Sequence, residues 1–508
     1  MTEKRLSALC ANCNIPFPGG DDPVIRGIVY DSRKAFPGCL FAALPGLHTD
    51  GSLYIRRAAE QGALAALCAE LPEDPIPGLA CILSQDPRED LSRLSAAFYD
   101  QPSEELIITG VTGTDGKSTT VYLLYQLLNA LGLKTGMLST VMIDTGSGLV
   151  PNPFRQSTPE APEVQRILRE MRDSGLTHAV VEATSHGLSP RTARLADVRF
   201  CAGVMTNVTH EHLEFHGSFE QYRDDKANLF RKVSESAFPG SFAVLNAGDK
   251  SSEYFRSVAS VPHVSYGLTS AKADLWAEIL NESLEGIDFR VHSPGEGTVD
   301  AQINLPGTFN VENTLAALSA ALELTGAEIA EIAPLLPGLK PVTGRMVPVA
   351  AGQSFTVMVD YAHTPASFSR LLPRMKASTP GRLICVFGSA GERDREKRAI
   401  QGRIAGEHCD IIVLADEDPR GEDPAAILED IASGCPDRRR GEDLFLINDR
   451  TEALRFAFRT AGAGDTVLLL GKGHETSIIY AGGPVPWYEE TKALEVLKEL
   501  GFGRDQTI

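Results

Sequence analysis

The sequence predicts an α/β protein of about three domains, in which parallel sheets are covered by helices. Its 508 residues are too many for one ordinary domain of roughly 150 residues. Hydrophobic residues make up 43% and charged residues 23%, as in soluble globular chains. From Glu104 onward, short apolar runs alternate with helix-length amphipathic segments, which is typical of a parallel sheet.

The first hundred residues mix strand and helix patterns. Val24–Tyr30 and Cys39–Ala43 predict strands, whereas Ile55–Leu67 and Asp90–Tyr99 predict helices. The stretch Asp100-Gln-Pro-Ser103 then has the composition of a linker. A first domain is therefore expected over residues 1–102.

The rest of the chain shows a strand–helix rhythm that is interrupted once. The leucines of Val121–Leu131 have helical spacing, and Leu336–Gly344 is rich in proline and glycine. The predicted buried strands are Leu106–Ile108, Ala179–Val181, Ala202–Met205, Phe355–Val359, Leu383–Phe387, Ile411–Leu414 and Val467–Leu470. We expect a central domain over 103–340 and a C-terminal domain over 341–508.

Charge and cysteine content exclude several classes of partner. The net charge is −19 and the pI about 5.1, which disfavours a nucleic-acid or anionic-membrane surface. No apolar run approaches the roughly 18 residues of a membrane helix, and no signal-peptide pattern follows Met1. The nine cysteines are scattered, and Cys10-Ala-Asn-Cys13 has no second pair at zinc spacing. We expect a cytoplasmic, monomeric protein with reduced thiols.

A glycine-rich loop provides the strongest functional signal. Gly110-Val-Thr-Gly-Thr-Asp-Gly-Lys-Ser-Thr-Thr120 follows a predicted strand and opens a predicted helix. Backbone N–H groups of such a loop close around phosphate oxygens, and the helix N-terminus adds partial positive charge. Lys117 can reach the β- and γ-phosphates, and Ser118 can ligate Mg²⁺. Val111 stands where the usual P-loop has its first glycine, but the context still predicts ATP binding.

Acidic and histidine residues follow two of the predicted strands. Glu182 ends one strand, and ligands bind at the carboxyl ends of parallel strands, so a Mg²⁺ ion is expected there. His210, His212 and His216 follow the next strand. They are compatible with a zinc site, with plain surface histidines, or with one Mg²⁺ ligand among hydrogen-bonding groups. Lys226, on a predicted helix, is by residue type alone expected to be solvated.

An ordered set of motifs then identifies a family. The chain resembles the Mur ligases, the ATP-dependent amino-acid ligases of peptidoglycan precursor synthesis, over almost its whole length. Within that family it resembles the type that adds a diamino acid to UDP-N-acetylmuramoyl-L-alanyl-D-glutamate. The motifs are Tyr30-Asp-Ser-Arg33, Pro37-Gly38, Thr49-Asp-Gly51, Gly113–Ser118, Ser157-Thr-Pro159, Glu182-Ala-Thr-Ser-His186, Thr206-Asn207 with His212, Asn310-Val-Glu-Asn313, Asp360-Tyr-Ala-His-Thr-Pro365, Gly388–Asp394, Asp418-Pro-Arg420 and Gly471-Lys-Gly-His-Glu475.

The resemblance implies a three-domain α/β architecture and a role for each motif. An N-terminal uridine-nucleotide domain, a central P-loop ATPase domain with a parallel sheet, and a C-terminal Rossmann-like domain are implied. The uridine diphosphate and muramyl-peptide positions are Tyr30, Ser32, Leu47, His48, Thr49, Gln156, Ser157, Thr158, Thr184 and Arg194. The ATP positions are Gly113, Thr114, Asp115, Gly116, Lys117, Ser118, Thr119, Asn310, Asn313, Arg345 and Asp360.

The metal and amino-acid sites are implied in the same way. Glu182 and His212 match Mg²⁺ ligands, with Ser118 supporting, and Lys226 matches a lysine that carbamylation turns into an anionic metal ligand. The implied catalytic residues are Lys117, Lys226, Glu182 and His212. The positions of the added amino acid are Arg393, Glu417, Asp418, Pro419, Arg420, Gly471 and Glu475.

Two positions depart from the family pattern. The family has Asn where Gln156 stands, which weakens that contact. Members that add meso-diaminopimelate usually read Asp-Asn-Pro-Arg, whereas this chain has Glu417-Asp-Pro-Arg420. The extra carboxylate of Asp418 would repel the distal carboxylate of diaminopimelate but attract the terminal ammonium of lysine or ornithine. Arg420 would instead attract the distal carboxylate of diaminopimelate. The diamino acid therefore stays open, with diaminopimelate favoured by family frequency.

The implied reaction proceeds through an acyl phosphate, with ATP and Mg²⁺ as cofactors. Three alternatives remain: the Mur ligase that adds D-Ala-D-Ala, a folate polyglutamate synthetase-like ligase, and a noncatalytic nucleotide switch. The Asp360–Pro365 and Gly471–Glu475 motifs disfavour the first, and the uridine-domain pattern disfavours the second.

Overall fold

The structure, a computed structural model, describes residues 3–46, 50–154, 156–209, 213–236, 238–268, 273–295 and 297–503. Its contacts divide the chain into two compact units. Residues 1–278, 289–301 and 309–339 form the first, and residues 279–288, 302–308 and 340–508 form the second. The predicted boundaries near 102 and 340 stay predictions. In the described ranges no helix is both long and apolar enough to cross a membrane.

The first hundred residues form a small parallel sheet with helices. In the described residues of this segment, four parallel strands run in the order β3-β4-β5-β6, and β1 pairs antiparallel with β2. The strands are β1 (Lys4–Arg5), β2 (Val24–Ile25), β3 (Gly27–Val29), β4 (Cys39–Ala42), β5 (Ala65–Cys68) and β6 (Ala80–Leu83). The helices are α1 (Leu6–Asn12), α2 (Ile55–Glu60) and α3 (Pro87–Phe98), with 3₁₀ turns at Ser32–Lys34, Gly51–Tyr54 and Pro102–Glu104.

The helix predicted over Ile55–Leu67 is wrong in its second half. The helix α2 ends at Glu60, and Ala65–Cys68 is the fully buried strand β5. Gly62 has φ +99°, and a Cβ there would lie 2.8 Å from Pro37 Cα. A glycine with positive φ ends a helix, and the apolar run that follows is buried on both faces of the sheet, where alternation is absent.

A larger sheet has most of its strands in the first unit. Its order is β10-β9-β8-β11-β7-β12-β13-β14-β15-β16-β17. The strands from β8 to β15 in this order are parallel, whereas β9 and β10 are antiparallel additions at one edge. The strands are β7 (Ile107–Thr112), β8 (Thr135–Leu138), β9 (Met142–Asp144), β10 (Val150–Pro151), β11 (His178–Glu182), β12 (Ala202–Met205), β13 (Phe242–Asn246), β14 (His263–Gly267), β15 (Leu275–Glu282), β16 (Ile287–Ser293) and β17 (Gly297–Ile303).

Helices cover this sheet as the apolar spacing predicts. Val164, Leu168 and Met171 of α5 and Leu229 and Phe230 of α8 pack in one core with the buried strand residues. The helices are α4 (Lys117–Ala130), α5 (Ala161–Asp173), α6 (Ser185–Leu188), α7 (Leu213–His216), α8 (Phe219–Glu235), α9 (Ser252–Val258), α10 (Thr308–Thr325) and α11 (Ile329–Ile332), followed by a 3₁₀ turn at Ala333–Gly338.

The second unit contains another parallel sheet. Its order is β18-β19-β23-β20-β21-β22, with β18 antiparallel to β19 and the others parallel; β24 and β25 form a separate antiparallel pair. The strands are β18 (Val347–Pro348), β19 (Thr356–Asp360), β20 (Leu383–Phe387), β21 (Ile411–Leu414), β22 (Leu444–Leu446), β23 (Thr466–Leu470), β24 (Ser477–Tyr480) and β25 (Gly483–Pro486). The helices are α12 (Pro365–Ser378), α13 (Glu396–His408), α14 (Pro424–Ala432), α15 (Arg450–Thr460) and α16 (Glu489–Glu499).

Candidate functional site

The first candidate site lies at the carboxyl edge of the central sheet. The strands β8, β11, β7 and β12 are neighbours and parallel, so their carboxyl ends meet at one edge. There β11 ends with Glu182, β7 continues into the loop Gly113–Gly116, and β12 continues into Thr206 and Asn207. Residues far apart in the sequence, such as Asp115 and Asn207 at a separation of 92 positions, therefore become neighbours.

The loop backbone requires its two glycines. Gly113 has φ +150°, and a Cβ at this position would lie 1.9 Å from Thr206 Oγ1. Gly116 has φ +80°, and a Cβ there would lie 2.2 Å from Asn313 Oδ1. Positive φ and close packing both exclude a side chain, so the backbone can come close to a ligand at these two points.

Thr206 and Asn207 hold the loop in place. Thr206 Oγ1 donates to the carbonyl of Asp115 at 2.6 Å. The Asn207 side chain bonds both the N–H and the carbonyl of Asp115, at 3.0 and 3.1 Å, and its own carbonyl accepts from Thr114 N at 2.7 Å. The sequence predicts these two residues only as part of a family motif. Local sequence does not indicate that the end of β12 will contact the loop that follows β7.

The first turn of α4 presents the residues expected of a phosphate site. Lys117 Nζ donates to the carbonyl of Thr114 at 2.7 Å, and Thr119 is half-buried on the same turn. Ser118 Oγ donates to Glu182 Oε2 at 2.9 Å. The free N–H groups and the dipole of a helix N-terminus favour a phosphate here.

Glu182 is fixed in a way that suits a divalent cation. Its Oε2 accepts from Ser118 Oγ and from Thr140 N, the latter at 2.8 Å. In the described part of the chain both hydrogen bonds to this carboxylate converge on Oε2, which leaves Oε1 for a ligand. Carboxylate and hydroxyl oxygens are the donors that Mg²⁺ prefers, so Glu182 and Ser118 fit such an ion.

The histidine cluster is described only in part. Among the described residues no group of three or more His, Cys, Asp or Glu side chains could hold a metal, and His210 and His212 lie outside those residues. His216 is fully buried and hydrogen-bonded to Asp225 and Ser185. For His216, the interpretation as a plain surface histidine is therefore wrong.

Lys226 is buried, contrary to the expectation from its residue type. It is 1% exposed, and its Nζ donates to the carbonyl of Gly113 at 2.6 Å. The ammonium lies 4.4 Å from the ring centroid of Tyr222, whose hydroxyl is 3.0 Å from Thr114 Oγ1. Helix α8 thus brings Lys226 directly under the loop, which local sequence could not indicate.

The predicted adenosine residues are divided between the two units. In the first unit, Thr120 Oγ1 donates to Asn313 Oδ1 at 3.4 Å, and Asn313 Nδ2 donates to Asn310 Oδ1 at 3.3 Å, so α10 contacts the loop. In the second unit, Asp360 accepts from the N–H groups of Met346 and Ala362 at 2.9 and 2.8 Å. The Arg345 guanidinium lies 4.8 Å from the Tyr361 ring centroid.

Three of the predicted muramyl-peptide residues form a cluster beside Glu182. Thr158 Oγ1 donates to the carbonyl of Glu182 at 3.0 Å and is 2.9 Å from Thr184 Oγ1. Arg194 donates to the carbonyl of Thr158 at 3.1 Å and pairs with Glu160 at 2.9 Å. The sequence did not single out Glu160, although it directly follows the Ser157-Thr-Pro159 motif.

The other predicted uridine diphosphate and muramyl-peptide residues lie outside this cluster or outside the described residues. Tyr30 lies near Glu163, and burial raises the pKa of both groups. Ser32 begins a 3₁₀ turn and is buried, whereas Gln156 is exposed and Ser157 half-buried. Leu47, His48 and Thr49 lie outside the described residues.

The predicted amino-acid residues meet at the carboxyl edge of the second sheet. Asp418 follows β21, and Lys472 and Glu475 follow β23. The fully buried Lys472 Nζ donates to Asp418 Oδ1 at 2.8 Å and to Glu475 Oε2 at 2.5 Å. Asp418 Oδ1 also accepts from Ile479 N at 2.9 Å. The charge of Asp418 is therefore compensated within the protein, which the sequence did not reveal because Lys472 is 54 positions away.

Glu417 is the most deeply buried carboxyl group of this cluster. Burial raises its pKa, and within the described residues its Oε2 has no hydrogen-bond partner. Gly471 has φ +95°, and a Cβ there would lie 2.5 Å from this oxygen.

Arg420 has φ +55°, and its buried Nε likewise has no partner in the described residues. Arg393 is exposed, and the carbonyl of Pro419 packs against Gly391.

Comparison with protein families gives matches along most of the chain. Residues 24–99 match the model described as Mur ligase family, catalytic domain. Residues 111–321 match the Mur ligase middle domain. Residues 344–473 match the Mur ligase, glutamate ligase domain.

Individual relatives match over nearly their full length. The chain is 46% identical to a UDP-N-acetylmuramyl-tripeptide synthetase of Treponema denticola, covering 94% of this chain and 95% of the relative. It is 47% identical to the protein of that name from Roseiflexus sp., covering 98% and 99%. A solved structure of a UDP-N-acetylmuramoyl-L-alanyl-D-glutamate–2,6-diaminopimelate ligase is 30% identical, with TM-score 0.64 and coverage of 94% and 95%.

Replacing Gly113 by alanine should weaken binding of ADP at least tenfold, because the new Cβ displaces Thr206 and with it the loop. Gly132→Ala is a matched control: Gly132 follows α4 and has φ +84°, but a Cβ there meets nothing within 4 Å. Isothermal titration with Mg²⁺–ADP measures both affinities. Equal affinities for the two variants would contradict the steric argument.

Proposed function

Because the chain belongs to the Mur ligase family, we propose that it uses ATP to add a diamino acid to UDP-N-acetylmuramoyl-L-alanyl-D-glutamate. The relatives at 46% and 47% identity carry the name of an enzyme that forms the tripeptide. The observation that carries the proposal is the hydrogen bond of 2.9 Å between Ser118 and Glu182. It joins the loop suited to phosphates to the carboxylate suited to a cation.

The reaction needs an activated acid, since a carboxylate is a poor electrophile. An oxygen of the D-glutamate γ-carboxylate attacks the γ-phosphorus of ATP, the bond to the β-phosphate oxygen breaks, and ADP leaves. The amine of the diamino acid then attacks the acyl carbon, loses a proton, and displaces inorganic phosphate. The protein contributes mainly positioning and electrostatic stabilisation, so no nucleophilic side chain is required.

The residues of the central site can perform these tasks. The N–H groups of Gly113–Ser118 bind phosphate oxygens, and Lys117 neutralises charge on the transferring phosphoryl group. Ser118 and Glu182 would hold Mg²⁺, which when bound withdraws charge from the phosphates. Thr158, Thr184 and Arg194 lie beside Glu182, where they would hold the peptide end of the acid substrate.

We propose that Lys226 acts as a carbamate. A neutral lysine amine attacks CO₂ and loses a proton, which replaces a cation by an anion. Its burial under the loop, with Nζ 2.6 Å from the Gly113 carbonyl, supports this role, since an anion there would complement Mg²⁺ bound by Glu182. His212, which lies outside the described residues, is proposed as a further ligand.

The second unit is proposed to bind the incoming diamino acid. Asp418 and Glu475 both accept from Lys472, and the neighbouring Glu417 lies near the charges of Lys397 and Lys472. The carboxyl groups of these three residues can attract a cationic group of the substrate. Arg420 has an unpartnered buried Nε among the described residues and can bind a carboxylate. The substrate's amino and carboxylate groups thus both find partners, and the choice between diaminopimelate, lysine and ornithine depends on the charge near Asp418.

Lys117→Ala should abolish phosphate release, because the transferring phosphoryl group loses its main neutralising cation. Lys134→Ala, at an exposed lysine after α4, should behave as the unchanged protein. Phosphate release is measured with ATP, Mg²⁺, the muramyl dipeptide substrate and a diamino acid, omitting each in turn. Release that does not require both the dipeptide substrate and the diamino acid would refute the ligase proposal and favour a nucleotide switch.

Asp418→Asn should raise the ratio of kcat/KM for diaminopimelate to that for lysine by about tenfold, the effect of roughly 1.4 kcal/mol. The asparagine keeps the oxygen that accepts from Lys472 and Ile479 but removes one negative charge. Asp437→Asn, at an exposed aspartate of the same unit, is the control. A panel of diaminopimelate, lysine and ornithine measures the ratios. An unchanged ratio would show that Asp418 does not read the distal group.

Lys226→Ala should lower kcat at least tenfold, with partial recovery in acetate, because a small carboxylate can occupy the space of the carbamate. Lys232→Ala is the control, since Lys232 lies on the same helix but donates to the carbonyl of Ala196 instead. Acetate should leave that variant unchanged. Full activity of Lys226→Ala without acetate would exclude the carbamate.

A further inference from the structure

The first unit contains a buried chain of hydrogen bonds whose residues have no role in the function proposed above. His216 Nδ1 lies 2.7 Å from Asp225 Oδ2, and His216 Nε2 lies 3.1 Å from Ser185 Oγ. The side chain of His216 is 0% exposed, and Asp225 and Ser185 are each 2% exposed. A carboxylate only accepts hydrogen bonds, so His216 Nδ1 is protonated and donates a hydrogen bond to Asp225. Asp225 also accepts from Gln221 Nε2 at 3.0 Å.

This chain connects the segments that carry the proposed phosphoryl-transfer residues. Ser185 begins α6, three positions after Glu182, and Asp225 directly precedes Lys226 on α8. His216 therefore links the strand end that bears Glu182 to the helix that bears Lys226. Tyr222, on the same helix, has its ring 5.1 Å from that of His216 and its hydroxyl 3.0 Å from Thr114 Oγ1, which extends the connection to the loop.

The same three residue types form a nucleophilic triad in hydrolases, but here the geometry does not favour that role. A nucleophilic serine must reach a substrate carbonyl, whereas Ser185, His216 and Asp225 are all buried. The ring of His186 packs at 4.1 Å from Phe215, and that of Phe215 at 4.7 Å from His216, which covers the histidine further. A buried polar chain of this kind fixes geometry, since a broken link leaves buried groups unsatisfied.

We propose that His216, with Ser185 and Asp225, is a positioning residue of the phosphoryl-transfer site. It holds Glu182 and Lys226 at the separation that a magnesium-bound nucleotide needs, without touching the substrates. This inference rests on the proposed function. Without the imidazole, the Asp225 carboxylate loses a donor, and α6 keeps its hydrogen bond from Asn228 Nδ2 to the carbonyl of Leu188 at 3.1 Å but loses the one through His216. The separation of the two ligand-bearing segments is then held less strictly.

The test compares His216→Ala with His216→Asn, which keeps a side-chain N–H for Asp225, and with His178→Ala. His178 is a buried histidine on β11 at the end opposite Glu182, where its Nδ1 lies 2.8 Å from Thr177 Oγ1. Titration calorimetry measures ADP affinity with and without Mg²⁺, thermal unfolding measures stability, and steady-state assays give kcat and KM. Ser185→Ala is a second variant in case His216→Ala does not fold.

We expect His216→Ala to lose most of the gain in ADP affinity that Mg²⁺ gives and to lower kcat at least tenfold. The KM of the diamino acid should be unchanged, His216→Asn should recover most of the loss, and Ser185→Ala should show a smaller loss of the same kind. His178→Ala should lower only the melting temperature. If His216→Ala keeps the full Mg²⁺ effect, or if His178→Ala loses it equally, the positioning role is wrong. If the unchanged protein shows no Mg²⁺-dependent ADP binding, the proposed function itself fails.

Discussion

The parallel pairing of β8, β11, β7 and β12 is the constraint on which the central site depends. Because neighbouring strands run in the same direction, their loops leave the sheet on one edge, and polar residues can face one another there without interrupting the apolar core. Glu182 accepts from Ser118 and Thr140, and Thr206 and Asn207 bond the phosphate loop. Each contact joins segments that end or follow different strands of the sheet, so the strand order holds the loop conformation.

At the carboxyl edge of the second sheet, contacts between the ends of neighbouring strands are again decisive, but here they involve buried charged side chains. Arg450 and Glu489 form an ion pair with both side chains 0% exposed, and Arg450 also donates to the carbonyls of Asp416 and Leu470 at 3.2 and 2.8 Å. This arginine therefore fixes the ends of β21 and β23, beside which Asp418 and Lys472 meet. Buried charges are costly unless they are paired and hydrogen-bonded. This arrangement satisfies that condition and keeps the neighbouring Asp418 and Lys472 in a fixed geometry.

Buried cations in both units have a common role. Lys226 lies under the phosphate loop and Lys472 donates to two carboxyl groups, those of Asp418 and Glu475. In each site a buried lysine therefore sets the local charge. In the first case a chemical modification would reverse that charge, and in the second the lysine offsets the aspartate that distinguishes this chain from the usual family motif. The hydrogen-bond chain of His216 acts differently from these lysines. It fixes the distance between the segments that bear Glu182 and Lys226 and places no charge near the substrates.

The resemblance to the Mur ligases implied the three-domain architecture, which the family matches confirm, whereas phosphate binding by Gly113–Ser118 stays a prediction. The sequence by itself determined the α/β class, which the structure confirms, and the position of the glycine-rich turn between β7 and α4. These features depend on local periodicity and on glycine positions that are readable along the chain; the strand predictions at Ala202–Met205, Leu383–Phe387 and Ile411–Leu414 coincide with the structure. The second half of the helix predicted over Ile55–Leu67 is wrong because an alanine-rich apolar run fits a helix or a buried strand equally well. Only the tertiary structure decided that Lys226 is buried, that Lys472 compensates Asp418 and that His216 joins Ser185 to Asp225. These are contacts between segments distant in sequence, and the order of strands in a sheet, which brings them together, leaves no trace in local composition.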